Sequence, residues 1–308
     1  MDKYLYTEKC TLLVSTSDDY ESTWYPYFEL LKIFWKNHPH KIVLNSETKG
    51  YYDAALNIES ILGGRKTPWG ERLYNCLEKI ETEYIIFSLE DFFLLGYVND
   101  AILEECVQWM EENSDIAVCR LKASNEKSLV VPYKNSSFRI AGNDTPYRLD
   151  TQVSIWRRSD LMSFIDREED PWHFEEVGTK RIANSEKIFL WHYQEDERAI
   201  NESPFPYSIF QAYGYGVAWG RWLWNNKKWF KKNNIFGVKY HYLGILPRWA
   251  VKLRFKYLYR AGKQPVKGFA KIIQKIYRKV DQIEKALIQI RLYGWREGLG
   301  RIKEKRRK

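Results

Sequence analysis

Tyr84-Ile85-Ile86-Phe87-Ser88-Leu89-Glu90-Asp91-Phe92-Phe93 is an apolar run that stops at two adjacent carboxylates. Runs of this length with β-branched and aromatic members read as buried strands. Packing gives no reason for two acids at the end of such a strand. In open α/β sheets, ligands sit just outside the carboxyl ends of the strands. A strand that delivers Glu90 and Asp91 there is a candidate site for a divalent cation and a phosphate. The plainer alternative is a strand that ends in solvated acids at a turn. The local pattern alone does not choose between them.

Upstream, Cys10-Thr11-Leu12-Leu13-Val14-Ser15 reads as a first central strand, followed by the polar loop Ser15-Thr16-Ser17-Asp18-Asp19. Helical periodicity runs from Thr23 to Trp35 through Trp24, Phe28 and Leu31. Lys41-Ile42-Val43-Leu44-Asn45 is a second strand. A βαβ unit with small hydroxyl residues after its first strand is a common opening for nucleotide-binding domains. Neither GxGxxG nor GxxxxGK[ST] occurs, so a dinucleotide fingerprint and a P-loop are both unsupported. Gly63-Gly64 and Pro68-Trp69-Gly70 punctuate a loop, and a helix from Glu71 to Ile80 leads into the 84–89 strand.

Downstream, Asp100 is expected to cap a helix running to Asn113. Residues 116–121 read as a strand, and 128–132 with 137–140 as a short antiparallel pair. Residues 148–156 are strand-like, with Gln152, Ser154 and Trp156 on one face. Ser159 is expected to cap a short helix to Ile165. Asp170-Pro171 is a strong helix start, whose first turns carry Trp172, Glu175 and Glu176. Lys187 to His192 is a further strand, and 207–234 an aromatic, partly helical region.

A chain of 308 residues can bury one large or two modest cores. Its apolar content of 44% argues against disorder. The four cysteines at 10, 76, 106 and 119 form no CxxC and no Cys/His cluster, so structural zinc is not expected and reduced thiols in a cytoplasmic protein are. The N-terminus is polar up to Cys10, so no signal peptide is expected, and no 18-residue apolar run predicts a transmembrane helix.

The charge is unevenly placed. Residues 239–308 hold 21 Lys/Arg against 4 Asp/Glu, a net of +17, while residues 1–238 carry a net of −8. The expected organisation is therefore an α/β domain over 1–238 and a basic tail over 239–308. In the tail Val266, Phe269, Ile273, Ile276, Val280, Ile283, Leu287 and Ile290 follow 3-4 spacing, an apolar stripe on a helix. Trp249 interleaves with Lys252, Arg254 and Lys256 ahead of it, and Lys267 and Lys271 lie on its other faces. This pattern suits an anionic membrane surface. It also suits a coiled coil or partner helix, including a homo-oligomer. Non-specific nucleic-acid binding is a third reading, but the acidic body and the lack of RNA or DNA motifs argue against a specific nucleic-acid role.

Three acidic stretches suit one active centre. Glu90 and Asp91 could face a metal and a diphosphate. Asp18 or Asp19 could accept hydrogen bonds from a nucleoside. Glu175 or Glu176, beside Trp172, could serve as general base for a hydroxyl. Acids in first turns also simply stabilise helix dipoles. Rings near Trp156, Trp172 and Tyr207 could stack on sugars, although such rings more often fill cores. His173 and His192 are isolated and Ser15 and Ser154 have no elbow pattern, so a histidine metal site and a serine hydrolase are not expected.

In order and spacing these stretches resemble bacterial glycosyltransferases of the A-type fold, family-2-like enzymes of capsule and surface-polysaccharide clusters. The resemblance spans residues 10–235. It rests on the Ser-Thr-Ser-Asp loop, the Ile-Val-Leu-Asn strand, Pro-Trp-Gly-Glu-Arg at 68–72, the 84–93 stretch, and Gln152-Val153-Ser154-Ile155-Trp156-Arg157 followed by Pro171-Trp172-His173-Phe174-Glu175. It implies a single Rossmann-like nucleotide-sugar-binding domain with a mixed central sheet, plus the amphipathic tail. It further implies transfer from a nucleotide-sugar, most simply a UDP-sugar, to a lipid-linked or oligosaccharide hydroxyl, with Mg²⁺ or Mn²⁺. Ser15, Thr16, Asp18, Asn45, Arg72 and Glu90 are then donor-binding residues, Asp91 the metal ligand, Glu175 (with Glu176 as alternative) the base of an inverting enzyme, and Trp156 and Trp172 acceptor contacts. Ser88 and Glu90 stand where the family's Asp-x-Asp motif carries Asp. The expected location is the cytoplasmic face of the inner membrane, held peripherally. A non-catalytic scaffold of a polysaccharide assembly complex is the alternative.

Overall fold

The computed structural model describes residues 4–196, 202–207, 215–218, 220–240, 245–249, 275–276, 279–280, 282–283, 286–294, 297–298 and 300. The chain divides into two compact units, Met1–Ser208 and Ile209–Lys308. The boundary expected at 238/239 falls within the second unit.

The first unit is α/β. After a short turn α1 (Tyr6–Lys9), the chain forms β1 (Cys10–Ser15), α2 (Glu21–Phe34), β2 (Lys41–Ser46), β3 (Ile58–Leu62), α3 (Trp69–Glu78) and β4 (Tyr84–Leu89). Then come α4 (Asp100–Glu112), β5 (Ile116–Ser124), β6 (Val131–Pro132), β7 (Phe138–Ile140), β8 (Ser154–Arg157), α5 (Arg158–Phe164), α6 (Pro171–His173), a π-helical turn at Phe174–Gly178, α7 (Thr179–Arg181) and β9 (Ile188–Tyr193). The strands form one mixed sheet in the order β3-β2-β1-β4-β8-β5-β9-β7-β6. β1 pairs in parallel with both β2 and β4, and β5 in parallel with β9, but β8 lies antiparallel between β4 and β5.

Both faces of the sheet are covered, so the central strands are apolar without a break. On one face Leu13, Val43, Ile85 and Phe87 pack with Leu73 and Leu77 of α3 and with Leu161 and Phe164 of α5. On the other, Tyr27 of α2 donates its hydroxyl to Ser88 of β4 at 3.0 Å. Ser88 is thus a buried strand residue with a partner inside the fold. The Tyr6 hydroxyl donates to Asp100 at 2.6 Å, and Trp35 Nε1 donates to Tyr6 at 3.0 Å, which ties α1, α2 and α4 together.

Several local expectations change. The cap of α4 is Asn99, whose side chain accepts from Ile102 N–H; Asp100 is taken up by Tyr6 and Trp35 instead. Residues 148–153 precede β8 and are not strand. α5 starts at Arg158, with no side-chain cap at Arg157. Asp170 does cap the next helix, accepting from His173 N–H at 2.9 Å with Pro171 in the first turn. β3 was not anticipated: its half-exposed Ile58–Leu62 sits at the sheet edge beside β2.

In the second unit, β10 (Val217–Ala218) pairs antiparallel with β11 (Arg221–Leu223), which pairs in parallel with β12 (Ile245–Leu246). α8 (Asn226–Lys232) packs Phe230 edge-on to Trp222. The described residues between 275 and 294 are helical.

Candidate active site

β1, β2, β4, β5 and β9 all point their carboxyl ends to one edge of the sheet. β8 runs the other way, so its entry loop, residues 150–153, meets that same edge. The loops leaving β1 and β4 flank the point where strand order reverses, the usual crevice of an open α/β sheet.

On the β1 side the expected donor residues come together, and all of them are buried. Ser15 Oγ accepts from Trp69 Nε1 at 3.0 Å. Thr16 Oγ1 accepts from Trp24 Nε1 at 2.9 Å, and its carbonyl accepts from Arg72 Nη1 at 3.1 Å. The Asn45 carbonyl accepts from Thr16 N–H at 2.9 Å, and the Asn45 amide nitrogen donates to the carbonyls of Ile61 and Arg72. Asp18 accepts from the N–H groups of Thr48 and Lys49 and from the Thr48 hydroxyl. These side chains therefore stiffen the two loops from inside. Arg72 lies in the field of Glu47, Asp18 and Glu90, which offset part of the cost of burying its guanidinium. A Cβ on Gly63 would come within 2.5 Å of the Arg72 Cγ, so the loop passes directly over that side chain.

At the end of β4 the two acids differ. Glu90 is buried and Asp91 half-exposed. Burial, and then the neighbouring Asp91 charge, push the Glu90 carboxyl up to about 8, with Thr16 and Arg72 opposing. Of the two, Asp91 is the one more open to solvent. Among the described residues no group of three or more His, Cys, Asp or Glu could hold a metal ion. A cation at Asp91 would have to take most of its ligands from phosphates and water, as Mg²⁺ commonly does. The described residues do not form a closed protein cage.

Across β8 lies a second cluster. Glu175, in the π-helical turn, accepts at one oxygen from Thr151 N–H at 3.0 Å and from the Thr151 hydroxyl at 2.6 Å. Asp150 is buried and pairs with Arg120 Nε at 2.5 Å. Burial raises the Asp150 carboxyl to about 6; Arg120 opposes this and the Glu175 charge adds to it. Tyr207 stacks on Phe92, next to Asp91, at 4.5 Å. Its hydroxyl donates to Gln152 Oε1 at 2.9 Å and accepts from Val153 N–H. Burial raises the Tyr207 hydroxyl, and the charges of Asp150 and Asp91 both add to that rise. Tyr207 therefore stands between the Asp91 end and the Asp150–Glu175 end.

Trp69 joins the two clusters structurally. It donates to Ser15, and its ring meets Phe174 edge-on at 5.6 Å, one residue before Glu175. Gly70 lets this happen: a Cβ there would lie 2.1 Å from the Asp166 carbonyl.

The aromatic expectations divide. Trp156 is 2% exposed and packs on Phe164 and Phe189, so it is core and has no free face for an acceptor. Trp172 is 71% exposed beside the Glu175 turn. Glu176 is exposed. Sequence reasoning missed Arg120, Asp150, Thr151 and Lys122, whose Nζ donates to the Tyr207 carbonyl at 3.2 Å. Of the tail residues, Trp249 is exposed, while Lys252, Arg254, Lys256, Lys267 and Lys271 lie outside the described residues.

No family model matches the sequence, and no curated protein matches it. Solved structures similar to the chain include TarS 1–349 of S. aureus, at 13% identity and a TM-score of 0.43, over 97% of this chain and 91% of that one. The same TarS fragment in complex with UDP-GlcNAc gives 11% identity and a TM-score of 0.41, over 92% and 81%. A cytidylyltransferase of Leptospira borgpetersenii gives 12% identity and a TM-score of 0.38, over 64% and 79%.

Proposed function

We propose that the chain is an inverting glycosyltransferase that moves a sugar from a nucleotide-sugar, a UDP-sugar in the simplest case, to a hydroxyl of a lipid-linked glycan in bacterial surface-polysaccharide synthesis. The observation that carries this reading is the pairing of two unlike acidic positions at one sheet edge. One is a half-exposed Asp91 at the β1/β4 switch point; the other is Glu175, held by Thr151 on the far side of β8.

In this reading the loops after β1 and β2, stiffened by Asp18, Asn45 and Arg72, form the floor for the nucleoside. Mg²⁺ or Mn²⁺, held by Asp91 and the donor phosphates, would supply positive charge against the leaving diphosphate. Glu175 takes the proton of the acceptor hydroxyl. The acceptor oxygen forms its bond to the anomeric carbon as the bond from that carbon to the diphosphate oxygen breaks, and the electron pair leaves with the diphosphate. The configuration inverts because attack and departure are in line. Removing a general base of this kind lowers rates by about 10²–10⁴-fold. Exposed Trp172 suits stacking on an acceptor sugar.

The burial of Glu90 favours one competing reading, a non-catalytic scaffold. A thermal-shift panel of nucleoside diphosphates, with and without Mn²⁺, separates the two. Stabilisation by UDP with Mn²⁺, followed by hydrolysis or transfer from a UDP-sugar, supports the enzyme. No stabilisation by any nucleotide and no turnover of any nucleotide-sugar would leave the scaffold.

A further inference from the structure

Among its described residues the second unit carries an exposed apolar row. Ile276, Val280, Ile283 and Leu287 are spaced four, three and four residues apart, all at helical positions, and are 43% to 59% exposed. Such spacing puts them on one side of a helix. Ile288 and Gln289, on the opposite side, are buried. At the described helical positions, Ile288 and Gln289 are thus covered while the four apolar residues are open to solvent. Lys275 and Lys279 are exposed beside the row. Trp249 and Phe236, in the same unit, are also exposed, at 66% and 62%. Soluble surfaces tolerate single exposed apolar residues, but a contiguous row marks an interaction surface.

Charge selects among the occupants. Residues 239–308 carry a net of +17. A second copy of the same helix would bring that charge against itself. An anionic lipid surface answers both properties at once: the apolar side enters the acyl boundary, and the lysines and arginines meet the headgroups. Among the described residues no helix is long and apolar enough to cross a membrane, so the contact would lie in the interface plane. We infer that the Ile276/Val280/Ile283/Leu287 face docks on an anionic lipid bilayer. This inference is independent of the sugar-transfer reading, because it uses no residue of the first unit.

The test is co-sedimentation of the full chain with vesicles of phosphatidylcholine alone and with phosphatidylglycerol added. The expected result is at least tenfold stronger partitioning onto the anionic vesicles, weakened as salt is raised. The double variant Ile276→Glu/Ile283→Glu should lose at least tenfold of that partitioning. A second variant, Ile283→Ser/Leu287→Ser, adds no charge and should lose it too. Val130→Glu, an exposed position in the first unit, should change nothing. Circular dichroism and Tm confirm that each variant is folded. Equal binding to neutral and anionic vesicles would overturn the inference, as would unchanged partitioning of both row variants. So would sedimentation velocity showing a dimer that the row variants dissolve while vesicle binding persists.

Discussion

Thr151 gives both of its donors, the backbone N–H at 3.0 Å and the hydroxyl at 2.6 Å, to the same oxygen of Glu175. One oxygen is thereby fixed; in the proposed reaction the other would take the acceptor's proton. Hydrogen bonds to charged groups contribute about 1.5–3 kcal/mol. Thr151→Val removes only the hydroxyl and keeps the shape. Its kcat for transfer should fall about ten- to a hundredfold, with donor KM unchanged, and Thr151→Ser should restore it. Full kcat in the valine variant would show that the hydroxyl does not set the carboxylate.

Glu175→Gln keeps both Thr151 donors engaged but cannot take a proton. Transfer should drop by about 10²–10⁴-fold while Tm stays within a degree or two. Glu176→Gln, at an exposed position, should keep nearly wild-type turnover. Reversal of that order would move the base to Glu176.

Asp91 and Asp18 should separate binding from stability. Asp91→Asn is expected to erase the extra thermal protection that Mn²⁺ adds to UDP, with no change in the unliganded Tm. Asp18→Asn weakens charged bonds to Thr48 and Lys49 and should cost roughly 1–3 kcal/mol in urea unfolding. An Asp18→Asn protein of unaltered stability would contradict its place in the loop.

The two tryptophans near the site should behave oppositely. Trp156→Ala opens a cavity between Phe164 and Phe189 and should cost about 3–5 kcal/mol. Trp172→Ala should stay within about 0.5 kcal/mol of the parent, because it is a surface change, and should raise the acceptor KM. The comparison needs only chemical denaturation and steady-state kinetics.

His192 sets an acid limit. It is buried against Phe138, its Nδ1 has no partner among the described residues, and burial lowers it to about 4. The unfolded chain binds a proton near the ordinary value of about 6.5 that the native state refuses. Stability from this residue is full above that pH and is lost as pH falls toward 4. The loss between pH 7 and 5 should be on the order of 2 kcal/mol. His192→Phe should remove that share of the slope; an identical pH dependence in the variant would refute it.

The central strands were readable because burial on both faces writes them as unbroken apolar runs: 10–15, 41–45 and 84–89. Asp170-Pro171 was readable because a cap and its first turn are adjacent in sequence. β3 was not, since an edge strand with Glu59 and Ser60 lacks that signature. Arg120, Asp150 and Thr151 were invisible for another reason. Each is ordinary in its own stretch, and only the insertion of β8 between β4 and β5 brings them to one edge. Trp156 was misplaced because its facing depends on which helices cover β8, and no local period encodes that.

The position of β8 also orders assembly. β3, β2, β1 and β4 can pair from residues 10–89 alone, but the free side of β4 has no partner until Ser154–Arg157 has been made. β5, synthesised earlier, cannot dock on β4 without it. A nascent chain therefore carries an open apolar strand edge at Tyr84–Leu89 for the whole interval, the kind of edge that recruits other chains. Four residues close it. Damage at Ser154–Arg157 should thus appear first as lost soluble yield and slow refolding, before it appears as a lower Tm in the molecules that do fold.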